Sequence, residues 1–130
     1  MSDIGPQRIM HVEDEPDIRE VAKLALEGVG GFMVVSCASG AEALETVSAF
    51  RPDLILLDVM MPDMDGPTTL KSLQSIQGLS DIPVIFMTAK VQSREVEHFK
   101  ALGAIDVIVK PFDPMTLADT VREIWTRQPH

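Results

Sequence analysis

The stretch LILLDVMMPDMDG, residues 54–66, places a carboxylate directly after an unbroken run of apolar residues. A short apolar run bounded by turn residues is typical of a strand that is buried on both faces of a sheet. Burial of an ionised carboxylate is costly unless a cation or hydrogen-bond donors compensate for its charge. Asp58, at the end of this strand, therefore predicts a polar site that supplies such partners.

Strand and helix patterns alternate on both sides of this stretch. The predicted strands are Arg8–Val12, Met33–Ala38, Leu54–Val59, Val84–Met87 and Val107–Val109. Helical spacing of apolar residues predicts helices around Ile18–Val29, from a Ser39 cap with Glu42 to near Pro52, from Pro67 past Leu73, from Ser93 to Gly103, and over Pro114–Thr126. This order predicts an α/β fold, with a parallel sheet covered by helices on both faces.

Composition restricts the classes of protein to consider. The chain has 130 residues, 45% of them hydrophobic, and we expect one domain over residues 1–130, with its core at about 7–127 and no output domain. Its formal charge of −9 disfavours direct binding to nucleic acid. One cysteine, no basic-then-apolar leader and no long apolar run favour a cytoplasmic protein without membrane insertion.

Polar residues follow the predicted strands at their carboxyl ends, where open parallel sheets bind ligands. They are Glu13 and Asp14 after the first strand, Asp58 after the third, Thr88 after the fourth and Lys110 after the fifth. Grouped carboxylates favour a hard cation such as Mg²⁺, which prefers oxygen ligands. With an ammonium and a hydroxyl nearby, this set suits phosphoryl transfer to a carboxylate nucleophile, for which Asp58 is the best candidate.

Four segments in this order resemble the receiver domain of bacterial two-component response regulators. They are HVEDEPDIREVAKLAL (11–26), DLILLDVMMPDMDG (53–66), PVIFMTA (83–89) and GAIDVIVKPFDPMTLADTVREIW (103–125). The resemblance covers nearly the whole chain. It implies a flavodoxin-like three-layer sandwich whose five parallel strands have the order 2-1-3-4-5.

The resemblance also implies roles for the metal-site residues. Asp58 matches the phospho-accepting aspartate, and Glu13 and Asp14 match the acidic pair that holds Mg²⁺, with Asp14 the more direct ligand. Met60 matches the position whose backbone carbonyl completes the metal site. Glu13 stands where aspartate is more usual, so we expect it to reach the metal through water.

Further positions match the family's switch. Thr88 matches a hydroxyl that moves toward the phosphoryl group, and Lys110 matches the lysine that pairs with it, before a peptide bond to Pro111 that is usually cis. Val107 stands where an aromatic residue is common, so the switch is expected to use other groups or backbone shifts. Met60 and Lys90 occupy variable positions that tune phosphoryl lifetime in this family.

The resemblance implies a phosphorylation-dependent switch rather than a free-standing enzyme, in which the domain assists its own phosphorylation and dephosphorylation. The expected donor is a sensor histidine kinase or a histidine phosphotransfer protein. The expected output surface for a downstream protein is about Ser93–Arg127, and a phosphorylation-linked homodimer is compatible with the family.

Three alternatives stay open. A receiver that is never phosphorylated would act as an interaction or dimerisation module. A flavodoxin-like module would bind FMN, but its phosphate would face Glu13, Asp14 and Asp58. A phosphatase with a carboxylate nucleophile would need an acid at Met60. His11, between apolar neighbours in the first strand, is interpreted as a hydrogen-bonded core or semi-buried histidine rather than a ligand.

Overall fold

The computed structural model of the chain describes residues 5–89 and 92–128. A five-stranded parallel sheet with strand order β2-β1-β3-β4-β5 lies at its centre, which confirms the predicted fold class and order. The strands are β1 (Arg8–Val12), β2 (Met33–Cys37), β3 (Leu54–Asp58), β4 (Val84–Thr88) and β5 (Asp106–Val109). The helices are α1 (Pro16–Leu24), continued by a π-helical turn (Ala25–Val29), α2 (Gly40–Phe50), α3 (Gly66–Gln74), α4 (Ser93–Leu102) and α5 (Leu117–Thr126).

The central strand β3 is buried along its whole length because helices cover both faces of the sheet. Successive side chains of a strand point to opposite faces. Leu54 and Leu56 pack with residues of α1 and α5, whereas Ile55 and Leu57 pack with residues of α2 and α3. The apolar run therefore contributes side chains to the cores on both faces of the sheet. The charged residue, Asp58, follows at the carboxyl end of the strand.

Local capping explains where two of the helices begin. Oγ of Ser39 accepts a hydrogen bond from the backbone N–H of Glu42 at 3.0 Å, as predicted for α2. Oδ1 of Asp65 accepts from the N–H of Thr68 at 2.9 Å and begins α3 in the same way. Hydrogen bonds from the side chain and the backbone of Thr68 lower the pKa of the Asp65 carboxyl. Asp65 is thus a helix cap as well as part of a turn.

Two arginines bind the carboxyl ends of helices at the opposite edge of the sheet from the strand ends that carry Asp58. The Arg8 guanidinium donates to the carbonyl of Phe50, the last residue of α2, and Arg122 donates to the carbonyl of Gly30 after the π-helical turn. Each guanidinium also lies over an aromatic ring, that of Phe50 at 4.3 Å and that of Phe32 at 4.4 Å. Cations stabilise these carbonyls because helix carboxyl ends carry partial negative charge.

The helix bounds differ from the prediction at one position that matters for the site. The last helix begins at Leu117 rather than Pro114. Asp113 explains why the helix begins later. Its side-chain Oδ1 accepts a hydrogen bond from the backbone N–H of Met115 at 2.8 Å, and its backbone carbonyl accepts one from the backbone N–H of Leu117 at 3.0 Å. This turn links the strand end that carries Lys110 to α5.

Across residues 5–89 and 92–128, every helix is too short or too polar to cross a bilayer.

Candidate functional site

A cleft of about 380 Å³ opens at the carboxyl edge of the sheet. Its walls come from the ends of β1, β3, β4 and β5 and from the first turn of α1, namely Glu13, Asp14, Glu15, Ile18, Asp58, Met60, Ala89, Lys110 and Pro111. The parallel sheet brings these segments together although they are far apart in sequence, because all of its strands end at one edge. The predicted carboxylates and the predicted lysine therefore share one cleft.

Lys110 lies between two carboxylates. Its Nζ is 2.8 Å from Oδ1 of Asp58 and 3.0 Å from Oε1 of Glu13. The exposed fraction is 15% for the Lys110 side chain, 3% for that of Asp58 and 0% for that of Glu13. These ion pairs are therefore largely removed from water, where charge interactions are stronger and unpaired charges are more costly.

Burial controls the protonation of this group. It raises the pKa of Asp58 and of Glu13, an effect that hydrogen bonding and attraction to Lys110 only partly oppose. Burial alone would lower the pKa of Lys110, but its pairing with the two carboxylates raises it above the usual value. The ammonium therefore stays protonated. One lysine does not fully neutralise the two buried carboxylates, so a further cation would stabilise their ionised form.

The three carboxylates fit a divalent cation. Glu13, Asp14 and Asp58 each offer an oxygen, and the three atoms lie within 4.8 Å of one another. Oδ1 of Asp58 is buried and, although it is paired with the ammonium, accepts no well-aligned hydrogen bond from the described residues. Carboxylate oxygens are the ligands that Mg²⁺ prefers. The donor set and the raised pKa values both favour such an ion.

The two acidic residues after β1 differ in how much of each carboxylate is already engaged. In Glu13, Oε1 accepts from Lys110 at 3.0 Å and Oε2 accepts from the N–H of Glu15 at 3.1 Å. Asp14 is half-buried and lines the cleft. A cation would therefore meet Asp14 and Asp58 directly, whereas Glu13 would have to give up a hydrogen bond or act through water.

The loop between β3 and α3 folds tightly back on the strand end. The N–H of Gly66 donates to the carbonyl of Val59 at 2.9 Å. A Cβ atom on Gly66 would lie only 2.5 Å from the carbonyl oxygen of Asp58. Gly66 is thus required for close packing against Asp58, a role that the sequence analysis did not assign. The signal was present, because Gly66 ends the stretch that carries Asp58.

A second unassigned residue holds the loop after β1. Nη1 of Arg19, on α1, donates to the carbonyl of Glu13 at 2.9 Å and to that of Asp14 at 3.2 Å. No sequence pattern pointed to these hydrogen bonds, because they join a helix side chain to backbone atoms of the preceding loop.

The predicted switch residues lie in β4 and β5 or directly after them. Thr88, the last residue of β4, is buried, and its carbonyl accepts from the backbone N–H of Lys110 at 2.8 Å, while Ala89 lines the cleft. The Lys110–Pro111 peptide bond is cis, as the resemblance implies. Val107 is half-buried and packs against the core on the α2–α3 face of the sheet.

Met60 and Lys90 are the two variable positions. The Met60 side chain is 77% exposed and lines the cleft beside Asp58, while the role of its carbonyl stays a prediction. Lys90 lies outside the described residues.

His11 corrects one prediction. It is fully buried, as expected of a core residue, but neither ring nitrogen has a hydrogen-bond partner among the described residues. Burial, reinforced by the positive charges of Lys110 and Arg19, lowers the pKa of His11 to about 4. The neutral ring therefore fills the space between the sheet and its helices without the hydrogen bonds that the sequence suggested.

An open parallel sheet with carboxylates and a lysine at its carboxyl edge defines a flavodoxin-like α/β domain with a strand-end polar site. Residues 9–122 match the family described as "Response regulator receiver domain". The chain belongs to this family, and so to the proteins of two-component signalling.

Curated relatives agree with this assignment. The chain is 38% identical over 122 residues to the transcriptional regulatory protein CseB of Streptomyces coelicolor, covering 94% of this chain and 50% of CseB. It is 37% identical over 116 residues to the DNA-binding response regulator MtrA of Mycolicibacterium smegmatis, covering 89% of this chain and 49% of MtrA. The chain thus spans about half the length of the curated relatives it matches.

Solved structures share the fold. The chemotaxis response regulator CheY4 of Vibrio cholerae superimposes with a TM-score of 0.84 at 30% identity, over 91% of this chain and 98% of that one. The receiver domain of a signal transduction histidine kinase from Syntrophus aciditrophicus gives a TM-score of 0.78 at 36% identity, over 95% of both chains.

Proposed function

We propose that Asp58 accepts a phosphoryl group from a histidine kinase or a histidine phosphotransfer protein in a Mg²⁺-dependent reaction. The observation that carries the proposal is the contact of 2.8 Å between Lys110 and the buried Asp58, beside two further carboxylates. Family membership supports the same reading.

The proposed step is a displacement at phosphorus. A carboxylate oxygen of Asp58 forms a bond to phosphorus, the P–N bond of the donor phosphohistidine breaks, and its electron pair stays on the imidazole. When bound, Mg²⁺ would neutralise phosphoryl oxygens and bring them toward the nucleophile. Hydrolysis of the acyl phosphate by water would return the carboxylate and release inorganic phosphate.

The residues of the cleft have separate tasks in this proposal. Asp14 and Asp58 would hold the cation directly, with Glu13 behind them and the carbonyl of Met60 completing the set. Lys110 would keep its charge throughout, since its raised pKa prevents proton loss at neutral pH, and would pair with the phosphoryl group as it arrives. Thr88 would then supply its hydroxyl to the same group.

The phosphoryl group would act by adding charge next to a lysine and at the end of a buried strand. Such a change biases two nearby conformations of the domain and shifts their populations. We propose the surface around Ser93–Arg127 as the one that a downstream protein reads, with a phosphorylation-linked homodimer as one form of that contact.

Nucleic acid is not a proposed partner of this domain itself. The chain carries a formal charge of −9, which opposes contact with a phosphate backbone. The DNA binding in the name of MtrA is a property of a protein about twice as long as the segment matched.

Intact-mass spectrometry after incubation with acetyl phosphate tests the proposal. One phosphoryl adduct is expected with Mg²⁺ and none with EDTA. The Asp58→Asn variant should stay unmodified. Asp63→Asn is a matched control, because Asp63 lies in the neighbouring loop at φ 69°, a conformation that asparagine tolerates, and it should label like the wild type.

Labelling that persists in Asp58→Asn would reject the assignment. No adduct under any condition, together with no response to beryllofluoride, would favour a receiver that acts only as an interaction module.

A further inference from the structure

Arg19 donates hydrogen bonds to the backbone carbonyls of two acidic residues rather than to their carboxylates. Its Nη1 lies 2.9 Å from the carbonyl oxygen of Glu13 and 3.2 Å from that of Asp14. Among the described residues it forms no ion pair with a carboxylate. One terminal nitrogen therefore holds two successive peptide groups, those of the two acidic residues of the candidate metal site.

The remaining contacts of this loop tie it to the same helix. The N–H of Glu15 binds Oε2 of Glu13 at 3.1 Å, and the N–H of Arg19 binds the carbonyl of Glu15 at 3.0 Å. Glu15 precedes α1 without any capping hydrogen bond from its own side chain. Arg19 is thus the side chain through which α1 orients the loop.

A guanidinium beside a cation site is unfavourable by charge alone. Arg19 is half-buried, and its charge acts on the buried residues beside the loop, since it helps to lower the pKa of His11. Coulomb repulsion between this charge and a divalent ion weakens metal binding. A net benefit must therefore come from the geometry that the two hydrogen bonds impose.

We propose that Arg19 is a positioning residue for the metal site, acting by fixing the peptide groups of Glu13 and Asp14 so that their carboxylates converge with that of Asp58. This inference rests on the proposed function, because it presupposes that these carboxylates bind Mg²⁺. Groups that orient metal ligands through hydrogen bonds typically contribute about 10- to 100-fold to metal affinity.

Two substitutions separate the geometric effect from the charge effect. Arg19→Lys keeps the positive charge but shortens the reach and replaces the fixed, planar guanidinium, whose Nη1 serves both carbonyls, by a freely rotating ammonium. Arg19→Gln removes the charge and shortens the side chain, so it relieves repulsion and also loses the hydrogen bonds. If geometry dominates, both variants bind Mg²⁺ more weakly; if charge dominates, Arg19→Gln binds it more tightly and Arg19→Lys is unchanged.

The experiment is a titration of the unphosphorylated, ¹⁵N-labelled protein with MgCl₂, followed through its amide resonances. Arg94→Gln on α4 is the matched control, since Arg94 is exposed and does not line the cleft. Thermal unfolding of each variant in EDTA reports any loss of stability separately. We expect about tenfold weaker Mg²⁺ binding for both Arg19 variants and wild-type binding for Arg94→Gln.

Unchanged or tighter Mg²⁺ binding by Arg19→Gln, or wild-type binding by Arg19→Lys, would overturn the inference while leaving the proposed function intact. Lower thermal stability with unchanged affinity would also overturn it, because it would show a purely structural role. Failure of the wild type itself to bind Mg²⁺ would instead reject the metal site, and with it both proposals.

Discussion

Lys110, directly after β5, reaches across the end of β4 to Asp58 at the end of β3, with 2.8 Å between Nζ and Oδ1, and the Asp58 side chain is only 3% exposed. The same ammonium lies 3.0 Å from Glu13. One cation thus compensates for two buried carboxylates, which makes it central to the stability of the metal-free protein.

Replacement of Lys110 by methionine is expected to destabilise the metal-free protein by about 3 kcal/mol at neutral pH, because Asp58 and Glu13 would be left buried and unpaired. Denaturant unfolding in EDTA measures the loss. Added Mg²⁺ should recover part of it, since a divalent ion supplies the missing charge. Lys100→Met, at an exposed position of α4, should have little effect. Equal stability of the two variants would show that the ion pairs contribute nothing.

Replacement of Gly66 by alanine is expected to displace the loop that follows Asp58, because the new Cβ would lie 2.5 Å from the carbonyl oxygen of Asp58. We expect a loss of about 1–3 kcal/mol in the free energy of unfolding and slower labelling by acetyl phosphate. Gly28→Ala is the control, since a Cβ there meets nothing within 4 Å. Wild-type stability and labelling of Gly66→Ala would contradict the close contact.

The buried histidine predicts a specific pH dependence. The pKa of His11 falls from 6.5 to about 4 on folding, so between these pH values the unfolded chain binds a proton that the folded chain does not. Stability should therefore decrease as the pH falls through this window and level off below it, by roughly 3 kcal/mol in total.

Denaturant unfolding of the wild type and of His11→Leu in EDTA, at several pH values, isolates this contribution as the difference between the two curves. The variant should lack the loss, and His98→Asn, at an exposed position, should retain it. Parallel curves for the wild type and His11→Leu would show that His11 ionises freely in the folded protein.

The thiol of Cys37 is expected to resist modification in the folded protein. It is fully buried, and burial raises its pKa to about 11, so little thiolate forms at pH 8. Labelling with a disulfide reagent such as DTNB should be slow and should follow the rate of unfolding. Rapid labelling without denaturant would indicate that β2 opens locally.

The parallel α/β sheet and the grouping of polar residues could be predicted from the sequence because both depend on repeated local patterns, whereas the strand order came from the resemblance to receiver domains. The apolar run before Asp58 marks a buried strand, and parallel strands place their ends together. The grouping of Glu13, Asp14, Asp58 and Lys110 in one cleft follows from that rule, whereas their chemical roles rest on the proposals above.

Side chain to backbone contacts were beyond such prediction. The arginines that bind backbone carbonyls are Arg8, Arg19 and Arg122. Every residue has a backbone carbonyl, so the sequence does not show which carbonyl an arginine will bind in the folded chain. The absence of hydrogen-bond partners for His11 among the described residues likewise depends on tertiary packing. Its apolar neighbours in the sequence indicated burial, but they did not indicate which polar atoms would lie near the ring.

Helix α4 differs from the other helices in a way that bears on how quickly its backbone exchanges with solvent. It has no buried residue, whereas α5 buries Leu117, Ala118, Val121 and Ile124. Its main aromatic contact is that of Phe99 with Phe86 of β4, edge to face at 5.0 Å. Segments with few buried contacts open at little cost. Deuterium should therefore enter α4 long before it enters the sheet, which makes this helix the part of the fold that opens while the central strands stay protected.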